Sequence, residues 1–300
     1  MSKLDIYISF WGFSISDKDN LSQKVKDILD MTVVAFSYAK RNHKNIYLVT
    51  DSKSKQLFDH IPFTKIYTDL DSLYDIDKRY QKYWSLGKIK TIQLACKAKK
   101  PFVQIDYDVF IQNTLPSRLE NAAVFCQSPE PVSHTFAYNL NMFYDIYGYL
   151  GAASNRTEIS YNCGIVGGND LSFLKKYADS VFEFVMHIDN QKALDLNFSN
   201  KENAASYSYY IFEQYNIIPD EIPSFQLAIW AEQYYLACML KQEKIDVELL
   251  FNTWDPNDYV NIKTANECGY VHLLESKNDQ EKMDQVRQIS KIAIDNNFKI

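Results

Sequence analysis

An acid pair, Asp106 and Asp108, directly follows an apolar stretch near the middle of the chain, with a single tyrosine between the two acids. Alternate residues of an extended chain point the same way, and a rise of ~3.3 Å per residue puts their Cα atoms ~6 to 7 Å apart. Two carboxylates so placed can share a hard divalent cation, whose remaining positions phosphate oxygens can fill. The pattern therefore predicts a metal site, and the alternative is an ordinary acidic turn after a strand.

The surroundings of the acid pair favour the metal site. Apolar runs at residues 102–105 and 109–111 flank it, so the two charges lie between segments that we expect to be buried. Unpaired charges in such a place are costly, which makes a cation a sensible partner. Upstream, Lys88 lies on a predicted helix beside this strand and can meet a diphosphate; the alternative is a solvated helix lysine.

A second candidate segment is rich in glycine. Three of the 8 glycines in the chain fall between Gly164 and Gly168. Glycine allows the backbone to approach a ligand closely or to turn with a positive φ. We expect Gly167 and Gly168 to form a tight turn before a helix, and Asn162 and Gly164 to contact a substrate.

The first part of the chain alternates strand and helix patterns, which indicates a mostly parallel sheet with helices on both faces. Runs of β-branched and aromatic residues predict strands, and apolar residues at helical spacing predict helices. The predicted strands are 4–10, 45–50, 65–68 and 101–105, and the predicted helices are 21–41, 84–99 and a short one at 53–59. Ligands of such sheets bind beyond the carboxyl ends of the strands, where Asp51 and Asp106 fall.

The second half is less regular but shows no linker, repeat or change of composition. We therefore predict one α/β domain over residues 1–300, with a C-terminal helix (276–300). The predicted strands are 122–127, 161–167, and a pair at 247–251 and 270–274; the predicted helices are 134–150, 170–187, 224–241 and 279–296. The Asn-rich stretch 189–205 is predicted to be a mobile loop.

Composition excludes several classes of protein. The 300 residues are 46% hydrophobic and 23% charged, as in ordinary globular proteins, and the net charge of −6 argues against a nucleic-acid partner. The 5 cysteines form no CxxC pair, which favours a reducing compartment. No stretch approaches the ~18 apolar residues of a membrane span. These features predict a cytoplasmic protein and leave peripheral attachment to a membrane open.

Together these residues resemble the GT-A-fold nucleotide-sugar glycosyltransferases, the group that includes glycogenin-like and bacterial lipopolysaccharide sugar transferases. The resemblance covers roughly residues 1–275 in the order of the elements. It implies a Rossmann-like GT-A fold with a nucleotide-binding half (1–115) and an acceptor-side half (116–275). It is carried by Asp106-Tyr107-Asp108 after a strand, Asn162-Cys163-Gly164, Thr50-Asp51, Lys88 and the late strand residue His272. In that family the two acids hold Mn²⁺ or Mg²⁺, which bridges the diphosphate of the donor.

The resemblance also implies roles for later residues. A histidine often joins the metal ligands and a lysine then meets the diphosphate, which points to His272 and Lys277, although the usual intervening glycine is missing. A structural histidine is the alternative. Glu232-Gln233 resembles an acid–Gln pair on the acceptor side, where a carboxylate acts as general base or orients the sugar; the alternative is a solvent-facing helix residue. We expect catalytic roles for Glu232 and Asn162, and donor contacts from Asp51, Lys88, Tyr107, Gly164 and Lys277.

The predicted function is therefore metal-dependent transfer of a sugar, implied to be a hexose, from a nucleotide-diphosphate sugar to a hydroxyl of a carbohydrate, lipid-linked or protein acceptor. One alternative is a haloacid-dehalogenase-type phosphatase, in which Asp106 is the nucleophile, Asp108 the general acid and Gly167-Gly168-Asn169-Asp170 a later acidic loop. Another is a non-catalytic module that binds a nucleotide or glycan.

Overall fold

A seven-stranded sheet forms the centre of the computed structural model, in the order β3-β2-β1-β4-β7-β6-β8. Only β7 runs antiparallel to its neighbours, and the other strand pairs are parallel. A separate two-stranded sheet joins β5 and β9. The structure describes residues 2–12, 21–76, 84–132, 148–190, 229–253 and 269–300. The predicted α/β fold with a mostly parallel central sheet is confirmed, and its assignment to the GT-A type stays a prediction.

Most elements lie close to their predicted positions, but the strand Val109–Ile111 and the helix Ser117–Asn121 were not predicted, and the predicted helix 53–59 is only a 3-10 turn at Lys55–Leu57. The strands are β1 (Asp5–Ser9), β2 (Ile46–Val49), β3 (Lys65–Tyr67), β4 (Phe102–Ile105), β5 (Val109–Ile111), β6 (Val124–Pro131), β7 (Ile159–Gly168), β8 (Val247–Leu249) and β9 (Tyr270–His272). The helices are α1 (Gln23–Asn42), α2 (Ser85–Lys97), α3 (Ser117–Asn121), α4 (Leu171–Met186), α5 (Tyr235–Glu243) and α6 (Gln280–Asp295). A π-helical turn, Trp230–Tyr234, leads into α5.

Helices cover both faces of the sheet, and alternation along the strands divides the core in two. In β1, Tyr7 belongs to the apolar cluster shared with α2, α4 and α5, whereas Ile6 and Ile8 belong to the cluster shared with α1 and α6. Successive strand residues point to opposite faces, so a run of apolar residues marks a strand buried on both sides. Packing on both faces holds in place the strands whose carboxyl ends carry the candidate site residues.

The predicted pairing of the last two strands is wrong. Strands β8 and β9 do not pair, because β8 adds to the large sheet beside β6 while β9 pairs with β5.

Some of the predicted elements lie outside the described residues. These are most of the predicted helix 134–150, most of the predicted loop 189–205 and residues 224–228 of a predicted helix. The large sheet takes strands from both predicted halves, and the division at residue 115 stays a prediction. None of the described helices is both long enough and apolar enough to span a membrane.

Candidate active site

The carboxyl edge of the sheet brings together most of the predicted site residues. Asp106 follows the last residue of β4, and its backbone N–H donates to the carbonyl of Gly164 over 3.0 Å. Because β7 runs antiparallel, the segment containing Asn162 and Gly164 meets the end of β4, where Ile165 pairs with Ile105. This reversal explains how residues from the start of one strand reach the end of another.

Asp106, Asp108 and His272 form a cluster able to hold a metal ion. One ligand atom from each lies within 4.8 Å of those of the other two, and this is the one such group in the residues that the structure describes. Metal–ligand distances of ~2.1 to 2.6 Å place two ligands of one ion at most ~4.2 to 5.2 Å apart. Two carboxylates and an imidazole therefore converge closely enough to share one divalent cation.

The path of the chain explains why His272 arrives there. Strand β5 begins directly after Asp108, and its first residue, Val109, pairs with His272 of β9. The Leu273 N–H donates to the carbonyl of Asp108 over 3.1 Å, so the two segments are joined on both sides of the cluster. The Nε2 atom of His272 lies 3.6 Å from Oδ1 of Asp108. The predicted pairing of this histidine with the acids is thus present geometrically.

Gly164 leaves the space in which His272 sits. A Cβ atom at this position would lie 2.5 Å from Nδ1 of the His272 ring and closer still to Oε1 of Gln127. Contacts under 3.0 Å are not tolerated without displacement, so a side chain here would push the ring out of the cluster. The residue predicted to contact the donor is therefore required, in this structure, for the position of the histidine.

Asp108 is the most buried acid of the cluster, with 2% of its surface exposed. Its Oδ2 lies 2.7 Å from Nζ of Lys277. Burial alone raises the pKa of this carboxyl, but the neighbouring His272 and Lys277 outweigh it and hold the pKa well below its ordinary value. Burial likewise opposes the charge of Lys277, yet Asp108 raises the pKa of that lysine. Asp108 is thus a carboxylate under all ordinary conditions.

A buried lysine, Lys88, links Asp106 of the candidate metal site to Glu232 on the π-helical turn. Nζ of Lys88 lies 2.9 Å from Oδ1 of Asp106 and forms an ion pair with Glu232. Burial would lower the pKa of Lys88, but the two carboxylates raise it above its ordinary value. Burial raises the pKa of Glu232 to about 7, although Lys88 opposes that shift. Glu232 is therefore not the solvent-facing residue of the alternative interpretation.

Asn162 contacts a second buried acid, Glu130, that the sequence interpretation missed. The Nδ2 group of Asn162 donates to Oε1 of Glu130 over 2.7 Å, and its Oδ1 accepts from the N–H of Gly164 over 2.9 Å. Burial raises the pKa of Glu130 above its ordinary value. The signal available in the sequence was weak, because Glu130 lies between two prolines in a segment with no recognisable pattern.

The site carries more acid than base. Among the residues that the structure describes, the carboxyl groups of Asp106, Asp108, Glu130 and Glu232 lie beside two lysines, Lys88 and Lys277, and one histidine, His272. When Glu130 and Glu232 are ionised as well, the carboxylates outnumber the lysines, and this excess favours a bound cation.

The remaining predicted donor contacts lie at different places. Tyr107 separates the two acids, burial raises its pKa to about 12, and the Lys277 Nζ lies 5.9 Å from the centre of its ring. Asp51 is fully buried at the end of β2, where its carboxylate accepts from the backbone N–H groups of Gly12 (3.1 Å) and Ser54 (3.0 Å). Asp51 thus ties together the loops after β1 and β2, and its contact with a nucleotide stays a prediction.

The acidic loop required by the phosphatase alternative lies at the opposite edge. Gly168 pairs with Phe102, the first residue of β4, while Asp106 follows the last. Asp170 accepts from the N–H of Phe173 over 2.9 Å and caps α4 there. The length of β4, ~3.3 Å per residue, separates this loop from Asp106. This arrangement does not favour the phosphatase.

Comparison with known proteins places the chain in a family without assigning it an activity. Residues 6–299 match the model of DUF6734, described as a family of unknown function. The chain belongs to this family. No curated protein matches it.

Two solved structures illustrate the similarity of shape. The apo form of mouse xyloside xylosyltransferase 1 is 12% identical over 90% of this chain and 96% of its own, with a TM-score of 0.40. An active-site mutant of LgtC is 10% identical over 64% of this chain and 69% of its own, with a TM-score of 0.34. At these values, neither similarity bears on the function of this DUF6734 protein.

Proposed function

We propose that this protein is a glycosyltransferase that uses a divalent cation, Mn²⁺ or Mg²⁺, and a nucleotide-diphosphate sugar. The observation that carries the proposal is the convergence of Asp106, Asp108 and His272 at the carboxyl edge of the sheet. Ligands of open α/β sheets bind at that edge. Gly164 leaves room for the His272 ring beside the two acids, and the number of carboxyl groups around the cluster fits a cation there. The resemblance seen in the sequence implies a hexose as the transferred group.

The residues of the chain suggest a division of labour. Asp106, Asp108 and His272 would hold the cation, which when bound neutralises charge on a departing diphosphate. Lys277 is more than one-third exposed, so it can reach a phosphate while remaining beside Asp108. Lys88 is buried between Asp106 and Glu232 and keeps both acids in place. Preorganised charges of this kind stabilise the charge that develops in the transition state.

The acceptor side of the proposed reaction involves Glu232, Asn162 and Gly164. A carboxyl whose pKa lies near 7, as burial gives Glu232, suits a group that exchanges a proton with an acceptor hydroxyl at neutral pH. Asn162 fixes Glu130 and the backbone of Gly164, so its contribution is the shape of the site. We propose that the acceptor hydroxyl belongs to a carbohydrate, a lipid-linked glycan or a protein.

A thermal-unfolding screen of nucleotide sugars, with and without Mn²⁺, tests the proposal. A ligand that binds only the native state raises its stability by ~2.7 kcal/mol at 100 times its Kd. We expect at least one nucleotide-diphosphate sugar to raise the melting temperature of the parent protein in the presence of Mn²⁺, and Asp108→Asn to lose that rise. No stabilisation by any of them would contradict the proposal. Binding without turnover would support the non-catalytic alternative, and a phosphoryl group trapped on Asp106 would support the phosphatase.

A further inference from the structure

Gln127, which the sequence interpretation did not single out, is fully buried beside the group formed by Asp106, Asp108 and His272. It lies on β6 where the ladder with β7 is irregular, between the pairs Cys126–Val166 and Ser128–Asn162. Such irregularities turn a side chain in a direction that regular pairing does not allow. The carbonyl of Gln127 accepts from the N–H of Phe251 over 2.8 Å, which fixes its backbone from the other side.

A single oxygen of Gln127 serves two residues of β9. Its Oε1 accepts from the hydroxyl of Tyr270 over 2.5 Å and lies 2.8 Å from Nδ1 of His272. Tyr270 and His272 are alternate residues of a strand, so they point to the same face. The amide oxygen has two lone pairs, and these two contacts use both.

This contact determines what the other ring nitrogen of His272 can do. An amide oxygen only accepts, so Nδ1 must carry the proton. In the neutral ring, Nε2 then carries the lone pair, and Nε2 is the atom that lies 3.6 Å from Oδ1 of Asp108. A lone pair facing a carboxylate oxygen is unfavourable unless a cation lies between them, which is either a proton, giving an imidazolium ring, or a metal ion. Metal-bound histidines commonly donate their other N–H to an acceptor of this kind.

We infer that Gln127 is a positioning residue, which fixes His272 with its proton on Nδ1 and presents Nε2 to the divalent cation. The inference rests on the proposed function, since it concerns the same cluster. Gly164 supplies the space in which this contact forms, because a Cβ there would collide with both partners. Gln127 acts through His272 and contacts neither donor nor acceptor in this scheme.

The test has two readouts on the whole chain of 300 residues, neither of them turnover. One is ¹⁵N NMR of protein labelled at its 5 histidines, with His272→Ala to assign the signal, at about pH 8, where an ordinary histidine is neutral. The other is the Kd of Mn²⁺ by calorimetry. Gln127→Met removes the acceptor at similar volume, Gln127→Glu keeps it, and Tyr270→Phe removes only the second donor.

We expect the parent, Gln127→Glu and Tyr270→Phe to carry the proton on Nδ1, and Gln127→Met to lose this preference. Gln127→Met should bind Mn²⁺ ~10-fold more weakly than the parent, as expected for loss of a partner of a metal-bound histidine. A parent protein with its His272 proton on Nε2, or a Gln127→Met variant with unchanged tautomer and Mn²⁺ affinity, would overturn the inference and leave the proposed function standing. A parent that binds no Mn²⁺ would overturn the proposed metal site and this inference with it. Should Gln127→Met fail to fold, the tautomer of the parent still decides the matter.

Discussion

Lys277 places its Nζ 2.7 Å from Oδ2 of Asp108, an acid that also belongs to the proposed metal site. The lysine and a divalent cation therefore share one carboxylate. When a diphosphate is present, its oxygens offer Lys277 another partner, and Asp108 is left to the cation. In the free protein, Lys277 therefore competes with the metal for Asp108. In the complex, it would bind the diphosphate of the donor.

Replacement of Lys277 by Met should have opposite effects on two ligands. In the absence of a nucleotide, Mn²⁺ should bind ~3- to 10-fold more tightly, because a competing charge worth on the order of 1 kcal/mol is gone. A nucleoside diphosphate should bind ~10-fold more weakly in the presence of Mn²⁺, because a phosphate contact is lost. Calorimetry measures both values. Lys282→Met, whose Nζ contacts Ser276 instead of the cluster, is the matched control; weaker Mn²⁺ binding by Lys277→Met would contradict the competition.

Replacement of Gly164 by Ala should displace His272 and Gln127. The added Cβ would lie 2.5 Å from Nδ1 of the ring, so strain should cost ~1 to 3 kcal/mol of unfolding free energy. Mn²⁺ affinity should fall as well, since the displaced ring no longer meets the acids. Urea unfolding and calorimetry measure the two effects. Gly148→Ala, where the nearest atom would be 3.1 Å away, should change both far less, and equal losses in the two variants would refute the explanation.

Glu232 should make the stability of the metal-free protein depend on pH. Burial raises its pKa in the folded state from 4.5 to about 7, so between these values the folded protein binds more protons than the unfolded chain. The contribution of Glu232 to the free energy of unfolding therefore falls as the pH rises from ~4.5 to ~7, by an amount on the order of a few kcal/mol. Glu232→Gln removes the titration. Unfolding of both proteins at a series of pH values tests this: the stability of the variant relative to the parent should rise over that interval, and a constant difference would count against the assigned shift.

The core fold could be predicted because each of its main strands and helices has a recognisable pattern that is contiguous in the sequence. Phe102–Ile105 is apolar except for Gln104, and all four residues are buried, as in a strand covered on both faces. The helix α6 was predicted from residue 279, and Asp279 is its N-cap, whose side chain accepts from the N–H of Glu281 over 3.0 Å. The acid pair was found for the same reason, since its spacing and its strand are contiguous in the sequence.

Other parts of the site depend on pairing between distant segments and were not accessible in this way. Nothing near Gln127 or Glu130 indicates that β6 passes beside β9, or that the ladder is irregular there. Likewise, the separation of β8 from β9 into different sheets follows from the neighbours each strand finds in the fold. Long-range contacts of this kind are a property of topology, which a local pattern does not contain.

Asp51 should be important for stability whatever its role toward a nucleotide. Replacement by Ala leaves the backbone N–H of Gly12 without its acceptor in a buried place, which should cost ~1 to 3 kcal/mol, whereas the N–H of Ser54 keeps the backbone carbonyl of residue 51 as an acceptor. Asp59→Ala removes an exposed acid paired with Lys55 and should cost under ~1 kcal/mol. Denaturant unfolding compares them. Equal stability of the two variants would show that the Asp51 contacts contribute little.

The central claim, that Asp108 and its neighbours hold a cation needed to release a nucleoside diphosphate, is tested most directly by one rate. The measurement is release of nucleoside diphosphate from the nucleotide sugar identified by thermal stabilisation, with Mn²⁺ or with a chelator, in the parent and in Asp108→Asn. We predict release by the parent that needs Mn²⁺, and a rate at least ~100-fold lower in Asp108→Asn, measured at a temperature at which that variant is folded. Release that continues in the chelator, or that Asp108→Asn performs at the parent rate, would contradict the account.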